Sequence, residues 1–286
     1  MKFCRFDDDR YGVVTGETIH DITSVVDKVL AGKKKARWGD PMIAHLDEIR
    51  AVVGDVSAYP SKPVSAVTLL SPTANPSKLI AAPTNYHAHV AEMEARRPGQ
   101  PPGKGIAGAG LFLKANSAMV GTGEGVHIRF LDKLTEHELE FMIVIGKEGS
   151  QISEADALDY VAGYCLSLDM TVRGGEERSM RKSIDSYAVI GPWLVTKDEI
   201  KDPNDVGFKL FVNGQIRHNA HTSDLIYNCQ KLISLASEFY TLYPGDVIFT
   251  GAPAGVGPVK PGEFLNKGDV VRLRIDHLGE LVNTMA

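Results

Sequence analysis

Glu138 and Glu140 stand two residues apart in the run HELEFMIVI, and Asp169 closes the apolar run VAGYCLSL. On a strand, residues i and i+2 share a face, so the two glutamates converge while Leu139 turns away. Carboxylates brought together repel unless solvent or a cation separates them. An exposed strand edge carries such pairs too, but a second buried strand delivering Asp169 to the same sheet rim makes a set of three oxygen ligands. Without His or Cys, that set suits a hard octahedral divalent ion, Mg²⁺ or Mn²⁺, and argues against zinc. His89 and Glu92 in NYHAHVAEM lie three residues apart, so a helix places both on one face. There the carboxylate orients the imidazole and raises its basicity, which fits a general base for water. Surface His–Glu pairs share this spacing, and His87 points elsewhere. In RSMRKSIDSY (178–187), Lys182 beside Arg181 suits either oxyanion stabilisation near a metal or a plain solvated basic helix. The run TGAPAGVG (250–257) is Gly-rich after the apparent strand DVIF. It has neither Walker nor GxGxxG spacing, which excludes a nucleotide site and leaves a tight loop that lines a pocket.

These residues need a sheet to carry them. Glu138–Ile145 reads as a strand that is polar at its start and buried at its end, and Val161–Met170 as a second buried strand. Tyr86–Glu94 has helical spacing after the short apolar run Lys78–Ala82. Ser153–Tyr160 starts as a helix, with Ser153 and Asp156 at capping-box spacing. Phe208–Ile216 holds Asn213-Gly214 between apolar runs, a strong hairpin signal. Thr222–Phe239 is the longest helical pattern, and Asp246–Phe249 and Val270–Ile275 are strands introduced by Gly-Asp. Residues 96–110 hold five Gly and three Pro, which predicts a connection or a mobile lid rather than a packed element. Ahead of all this, Met1–Phe6 and Tyr11–Thr15 read as strands and Ile22–Leu30 and Ile43–Val53 as helices. The Pro-containing stretch 71–77 reads as a linker. The expectation is a β-dominated α+β protein with a small N-terminal unit, 1–72, and a larger domain, 73–286.

Composition narrows the function. With 43% apolar and 23% charged residues in 286, the chain is neither fibrous nor disordered. A formal charge of −5 without a basic tract argues against nucleic acid as a partner. Cys4, Cys165 and Cys229 are an odd, widely spaced set, expected as reduced thiols rather than as disulfides or a zinc site. Asp7, Asp8 and Asp9 precede any apolar run, against a signal peptide. No apolar stretch approaches the roughly 18 residues of a membrane helix. A soluble, cytoplasmic protein without membrane contact is expected.

Taken in order, several segments together resemble the fumarylacetoacetate hydrolase superfamily from about Lys78 to the C-terminus. They are NYHAHVAE, LFLKANSAMVG, HELEFMIVIGKEG, DALDYVAGYCLSLDMTVR, RKSIDSYAVIGPW, VNGQIRHNAHTSDLIY, YPGDVIFTGAPAGVG and GDVVRLRI. The resemblance implies the family's mixed β-roll, preceded here by a small α/β unit. It implies Mg²⁺ or Mn²⁺ held by Glu138, Glu140 and Asp169, a water-activating pair His89 and Glu92, and Lys182 as the oxyanion-stabilising lysine. It places Tyr86, Arg173, Glu176, Arg181, Thr250, Gly251 and Ala252 beside a small-molecule substrate, and suggests a lid near residues 93–110 and a homodimer. The implied reaction is hydrolysis of a C–C bond in a 2,4-dioxo acid, giving pyruvate or a related 2-oxo acid. The same site also fits decarboxylation, isomerisation or hydration of an enolisable 2-oxo acid, and a decayed site would merely bind one. Two positions depart from the common pattern: Glu176 stands where an amide is usual, and Ala252 where a second Thr is usual. Both are expected to retune substrate choice, since a carboxylate accepts but does not donate.

Overall fold

A computed structural model of the chain describes residues 1–34, 36–95, 105–255 and 265–286. Its backbone is a twelve-stranded mixed sheet. The central strands Leu139–Ile145 and Val161–Asp169 pair antiparallel, Glu140 opposite Ser167. On one side they continue through Val247–Phe249, Leu79–Ala81 and Phe112–Lys114, and on the other through Ala188–Thr196. A separate four-stranded sheet runs Gln215–His221, Gly207–Val212, Val270–Ile275, Gly279–Thr284. The hairpin within it turns at Asn213 and Gly214, whose φ values of 49° and 79° are the two left-handed positions such a turn requires.

The Leu139–Ile145 strand is apolar along its whole length because both of its faces are covered. Phe141, Ile143 and Ile145 enter one core with Leu210, Leu273 and the helix Cys229–Phe239. Met142 and Val144 enter the other, against Val26, Ile43 and Ile49 from the helices Thr23–Leu30, Pro41–Ala44 and Leu46–Val53. Glu138 and Glu140 have the same parity as Met142 and Val144, so the acids share that face at the strand's N-terminal end.

The first 72 residues do not stand apart as a separate layer. The strand Lys2–Phe6 pairs with Ala188–Thr196, Phe3 opposite Leu194, and the N-terminal helices complete the second core. Two local expectations are corrected. Ser153 and Asp156 do bond, 2.7 Å between side chains, but only a single 3₁₀ turn, Ala157–Tyr160, follows before the next strand. The long helix begins at Cys229, capped by the Asn228 side chain, because Leu225 is drawn into an extended bridge with Tyr86. Of residues 96–110, those from 96 to 104 lie outside the described residues. Gly105–Ala109 forms a short helix with Ile106 buried, so this part is a packed element after all. Among the described residues no helix is long and apolar enough to cross a membrane.

Candidate active site

Strand pairing alone brings the acids together. The Asp169 amide donates to the Glu138 carbonyl at 2.8 Å, which sets these residues opposite each other at the sheet rim with Glu140 one pleat along. Carboxylate oxygens of Glu138, Glu140 and Asp169 lie within 4.8 Å of one another, and all three side chains are buried. Three ionised carboxylates this close and this deep are unstable without positive charge. Lys182 supplies part of it: its Nζ donates to Glu138 and Asp169, each at 2.6 Å. Lys114 donates to Asp169 and, at 2.8 Å, to the Tyr187 carbonyl.

The protonation balance follows from these neighbours. Burial would raise the Glu138 carboxyl, but Lys182 and Arg173 outweigh it and hold the group well below the usual carboxylate range. Glu140 goes the other way: burial, then the charges of Asp169 and Glu138, push it well above. Burial opposes the Lys182 charge, yet Asp169 and Glu138 more than offset it and the ammonium is held up. Lys114 is lowered by burial, which Asp169 only partly opposes. Glu140 is thus the acid of the three that forms no ion pair among the described residues. A hard divalent ion would complete the set, so the donor chemistry fits Mg²⁺ or Mn²⁺ at Glu138, Glu140 and Asp169.

The helix His87–Ala95 carries the base. His89 Nδ1 and Glu92 Oε2 are 3.0 Å apart, and the Gly255 amide donates to the same Glu92 oxygen at 3.2 Å. His89 is 5% exposed, enough for contact with the cavity that it lines. Asn85 anchors the start of this segment. Its amide donates to the carbonyls of Thr250 and Tyr227 at 2.8 and 2.9 Å, and its oxygen accepts from the Tyr227 amide. The Lys182-bearing helix, Arg178–Lys182, is capped by the Glu177 side chain and closes the opposite wall. His89, Glu138, Asp169 and Lys182 all line one cavity of about 300 Å³, together with Arg173, Arg178, Arg181, Phe112 and Ala252.

Several expected substrate contacts are placed elsewhere. Among the described residues, the cavity lining does not include Tyr86, Glu176, Thr250 or Gly251. Tyr86 is a core residue, edge-on to Phe208 at 6.2 Å. Glu176 pairs with Lys133 at 2.7 Å. Thr250 donates to the Phe141 carbonyl, and the Gly251 amide donates to Glu140 Oε2 at 2.6 Å; both hold the acid strand. Arg173 lines the cavity while paired with Glu136 and Glu138. Lys114, Asn85 and Glu136 carry site contacts that motif reading missed. In sequence Lys114 is an ordinary lysine ending a strand, and only the sheet order turns it inward.

A buried three-carboxylate cluster flanked by two lysines and a His–Glu pair, at the rim of a β-dominated fold, defines an enzyme built around a divalent metal. Residues 78–286 match the family model described as fumarylacetoacetate (FAA) hydrolase C-terminal. The chain belongs to the fumarylacetoacetate hydrolase family and is an enzyme. It is 47% identical over 273 residues to maleylpyruvate hydrolase of Aquipseudomonas alcaligenes, covering 93% of this chain and 94% of that one. The crystal structure of maleylpyruvate hydrolase from Sphingobium sp. SYK-6 with manganese(II) and pyruvate superposes with a TM-score of 0.82. Its identity is 34%, over 100% of this chain and 99% of that one. A mitochondrial oxaloacetate tautomerase of Xenopus laevis is 38% identical over 226 residues, 77% of this chain and 68% of the relative.

Proposed function

We propose that the enzyme hydrolyses an acylpyruvate, a 2,4-dioxo acid of the maleylpyruvate type, to pyruvate and a carboxylic acid. The observation that carries this reading is that one cavity is lined by Glu138 and Asp169 of the acid cluster together with His89 and Lys182. Glu138, Glu140 and Asp169 would hold Mg²⁺ or Mn²⁺. The chemistry such an ion supplies when bound is Lewis-acid stabilisation of negative charge on the 2-oxo oxygen.

The remaining work falls to the protein. Glu92 accepts a hydrogen bond from His89 Nδ1–H, which leaves Nε2 as the free acceptor for a water proton. That water attacks the distal carbonyl carbon, and the Lys182 ammonium offers positive charge to the oxygen on which charge develops. The bond between that carbon and the methylene then breaks. The acyl part leaves as a carboxylic acid, and the three-carbon part takes a proton at its methylene to become pyruvate. Tautomerisation of oxaloacetate is the second reading, favoured by the tautomerase relatives. It needs no nucleophilic water but does need a base for the proton at C3, a role His89 held by Glu92 would also fill, so the yield of pyruvate is what separates the two readings. The three buried free thiols suit a reducing cytoplasm. We place the enzyme there as a homodimer, to be checked by light scattering on the purified protein.

The test is a spectrophotometric assay of acylpyruvates with Mg²⁺ and with Mn²⁺, coupled to pyruvate detection. Loss of the enol absorbance with equimolar pyruvate is expected. Absorbance loss without pyruvate would replace hydrolysis by tautomerisation.

A further inference from the structure

Seven non-glycine residues among those described hold a positive φ, and Thr84 is the one β-branched side chain of the seven. Its φ of 49° lies in the left-handed region, which glycine adopts freely but which crowds a branched Cβ against its own backbone. The surroundings impose that conformation. The Ala82 amide, two residues before, donates to the Phe249 carbonyl at 3.0 Å, and Asn85, one residue after, is pinned to the carbonyls of Thr250 and Tyr227. The bend between these anchors passes over Gly251, where a Cβ would meet both Asn85 and the Ala82 carbonyl. Strain that the surroundings over-determine in this way concentrates at functional sites, and of the seven residues only Thr84 lines the catalytic cavity. It is half-buried, and its hydroxyl takes no hydrogen-bond partner among the described residues. Glycine would serve the bend without strain, so the side chain is kept for something other than the fold.

Thr84 stands at the turn that leads into the helix His87–Ala95, and His89 belongs to the first turn of that helix, so the two share one wall of the cavity. A water that gives one proton to His89 Nε2 has a second O–H to place before its lone pair is aimed at a carbonyl carbon. Ala82, Pro83 and Val90, beside Thr84 in that wall, carry no polar side chain. Glu94 lies five residues past His89, more than one helical turn further along. We propose that Thr84 is a positioning residue for the attacking water, its hydroxyl oxygen accepting the second O–H while His89 takes the first proton. The inference rests on the acylpyruvate reading above and adds to it a residue that hydrolysis needs and enolisation does not. The water proton passes to Nε2, the water oxygen bonds to the acyl carbon, and Thr84 neither gains nor loses a proton.

The experiment compares Thr84→Val, Thr84→Ser and Thr84→Gly with the wild type by three measurements. They are hydrolysis of maleylpyruvate followed as pyruvate, exchange of pyruvate methyl protons in deuterium oxide with Mg²⁺, and thermal melting. Valine keeps the shape and the branching and lacks only the hydroxyl. Thr84→Val should therefore melt and exchange as the wild type does, yet lose about 10-fold to 100-fold in kcat with little change in KM. Thr84→Ser restores the hydroxyl and should recover most of kcat. Thr84→Gly should be as slow as Thr84→Val while melting no lower than the wild type, despite the greater freedom of glycine in the unfolded chain. Wild-type hydrolysis by Thr84→Val overturns the role. So does an exchange rate that falls in step with hydrolysis, because the damage would then lie in His89 or the ion rather than in the water. A wild type that releases no pyruvate from maleylpyruvate or acetylpyruvate defeats the acylpyruvate reading, and the water role falls with it.

Discussion

At the scale of single residues, the site is a problem in charge balance. Glu140 holds a proton far more tightly than an ordinary carboxyl because it is buried beside Asp169 and Glu138. A metal ligand must be deprotonated, so divalent-ion binding should release protons held by Glu140 and weaken as pH falls. Calorimetry in buffers of different ionisation enthalpy checks this, and a buffer-independent heat would contradict it. Glu140→Gln should abolish the proton release along with most of the affinity. His89→Ala should lower kcat by about 10²–10⁴ with substrate binding largely kept, and Glu92→Ala should be non-additive with it because the pair acts as one unit. Additive losses would show two independent roles. Near this site, the His137 and His218 rings lie 5.2 Å apart, tilted by 50°, and His137 Nδ1 and both His218 ring nitrogens have no hydrogen-bond partner among the described residues. Burial, then the charge of Arg217, lowers His137 from 6.5 to about 4. Between these values the unfolded chain binds a proton that the folded one refuses. Stability therefore falls as pH drops through that window, by up to about 1.4 kcal/mol per pH unit for this group. Thermal melts of wild type and His137→Gln from pH 7 to pH 4 should diverge accordingly, the variant showing the shallower slope.

At the scale of elements, the acid strands and the neighbouring strand Val247–Phe249 were legible, and other supports were not. Continuous apolar runs announce Leu139–Ile145 and Val161–Asp169 because both faces are covered, and the i, i+2 rule then sets the glutamates. The strand Ala188–Thr196, which joins the two parts of the sheet, escaped notice since Pro192 interrupts it. The structure accommodates that proline where the register with Val161–Asp169 shifts. Lys114 and Asn85 act through strand order and loop docking, which no local spacing encodes. Gly251 shows the same limit: its motif reads as a pocket lining, but its amide serves Glu140. Its φ of 101° is a region for glycine, and a Cβ there would lie 2.8 Å from the Asn85 Cβ. Gly251→Ala should therefore displace the donor from Glu140 and loosen the Asn85 anchor. A fall in metal affinity of about 10-fold or more is expected, the usual scale for losing a ligand's supporting hydrogen bond. Unaltered Mn²⁺ affinity would mean that this amide is not needed to hold the acid.

At the scale of the whole molecule, the Pro-containing stretch 71–77 reads as a linker in sequence, and the family match begins just after it, at residue 78. Yet the packing crosses it. Ile43, Ile49 and Val53 of the N-terminal helices share one core with Met142, Val144 and Phe249 of the central sheet. Lys2–Phe6 covers an edge of Ala188–Thr196, whose other edge pairs with the strand that carries Asp169. A chain reduced to residues 73–286 would expose that apolar face and an unpaired strand edge together, the combination that drives aggregation. Each core side chain left bare forgoes about 1.5–3 kcal/mol of burial, so losing even a few exceeds the marginal stability of a typical domain, about 5–15 kcal/mol. The expected outcome is a fragment that aggregates or lacks a cooperative thermal transition, and that gains no stability from Mn²⁺ because the strand paired with Asp169 has lost its own outer neighbour. Supplying residues 1–72 in trans should recover some soluble, metal-stabilised complex if the interface alone was missing. A truncated protein that melts sharply and is stabilised by Mn²⁺ as the full chain is would show that the catalytic layer supports itself, and that the N-terminal strands are an addition to the sheet rather than part of its foundation.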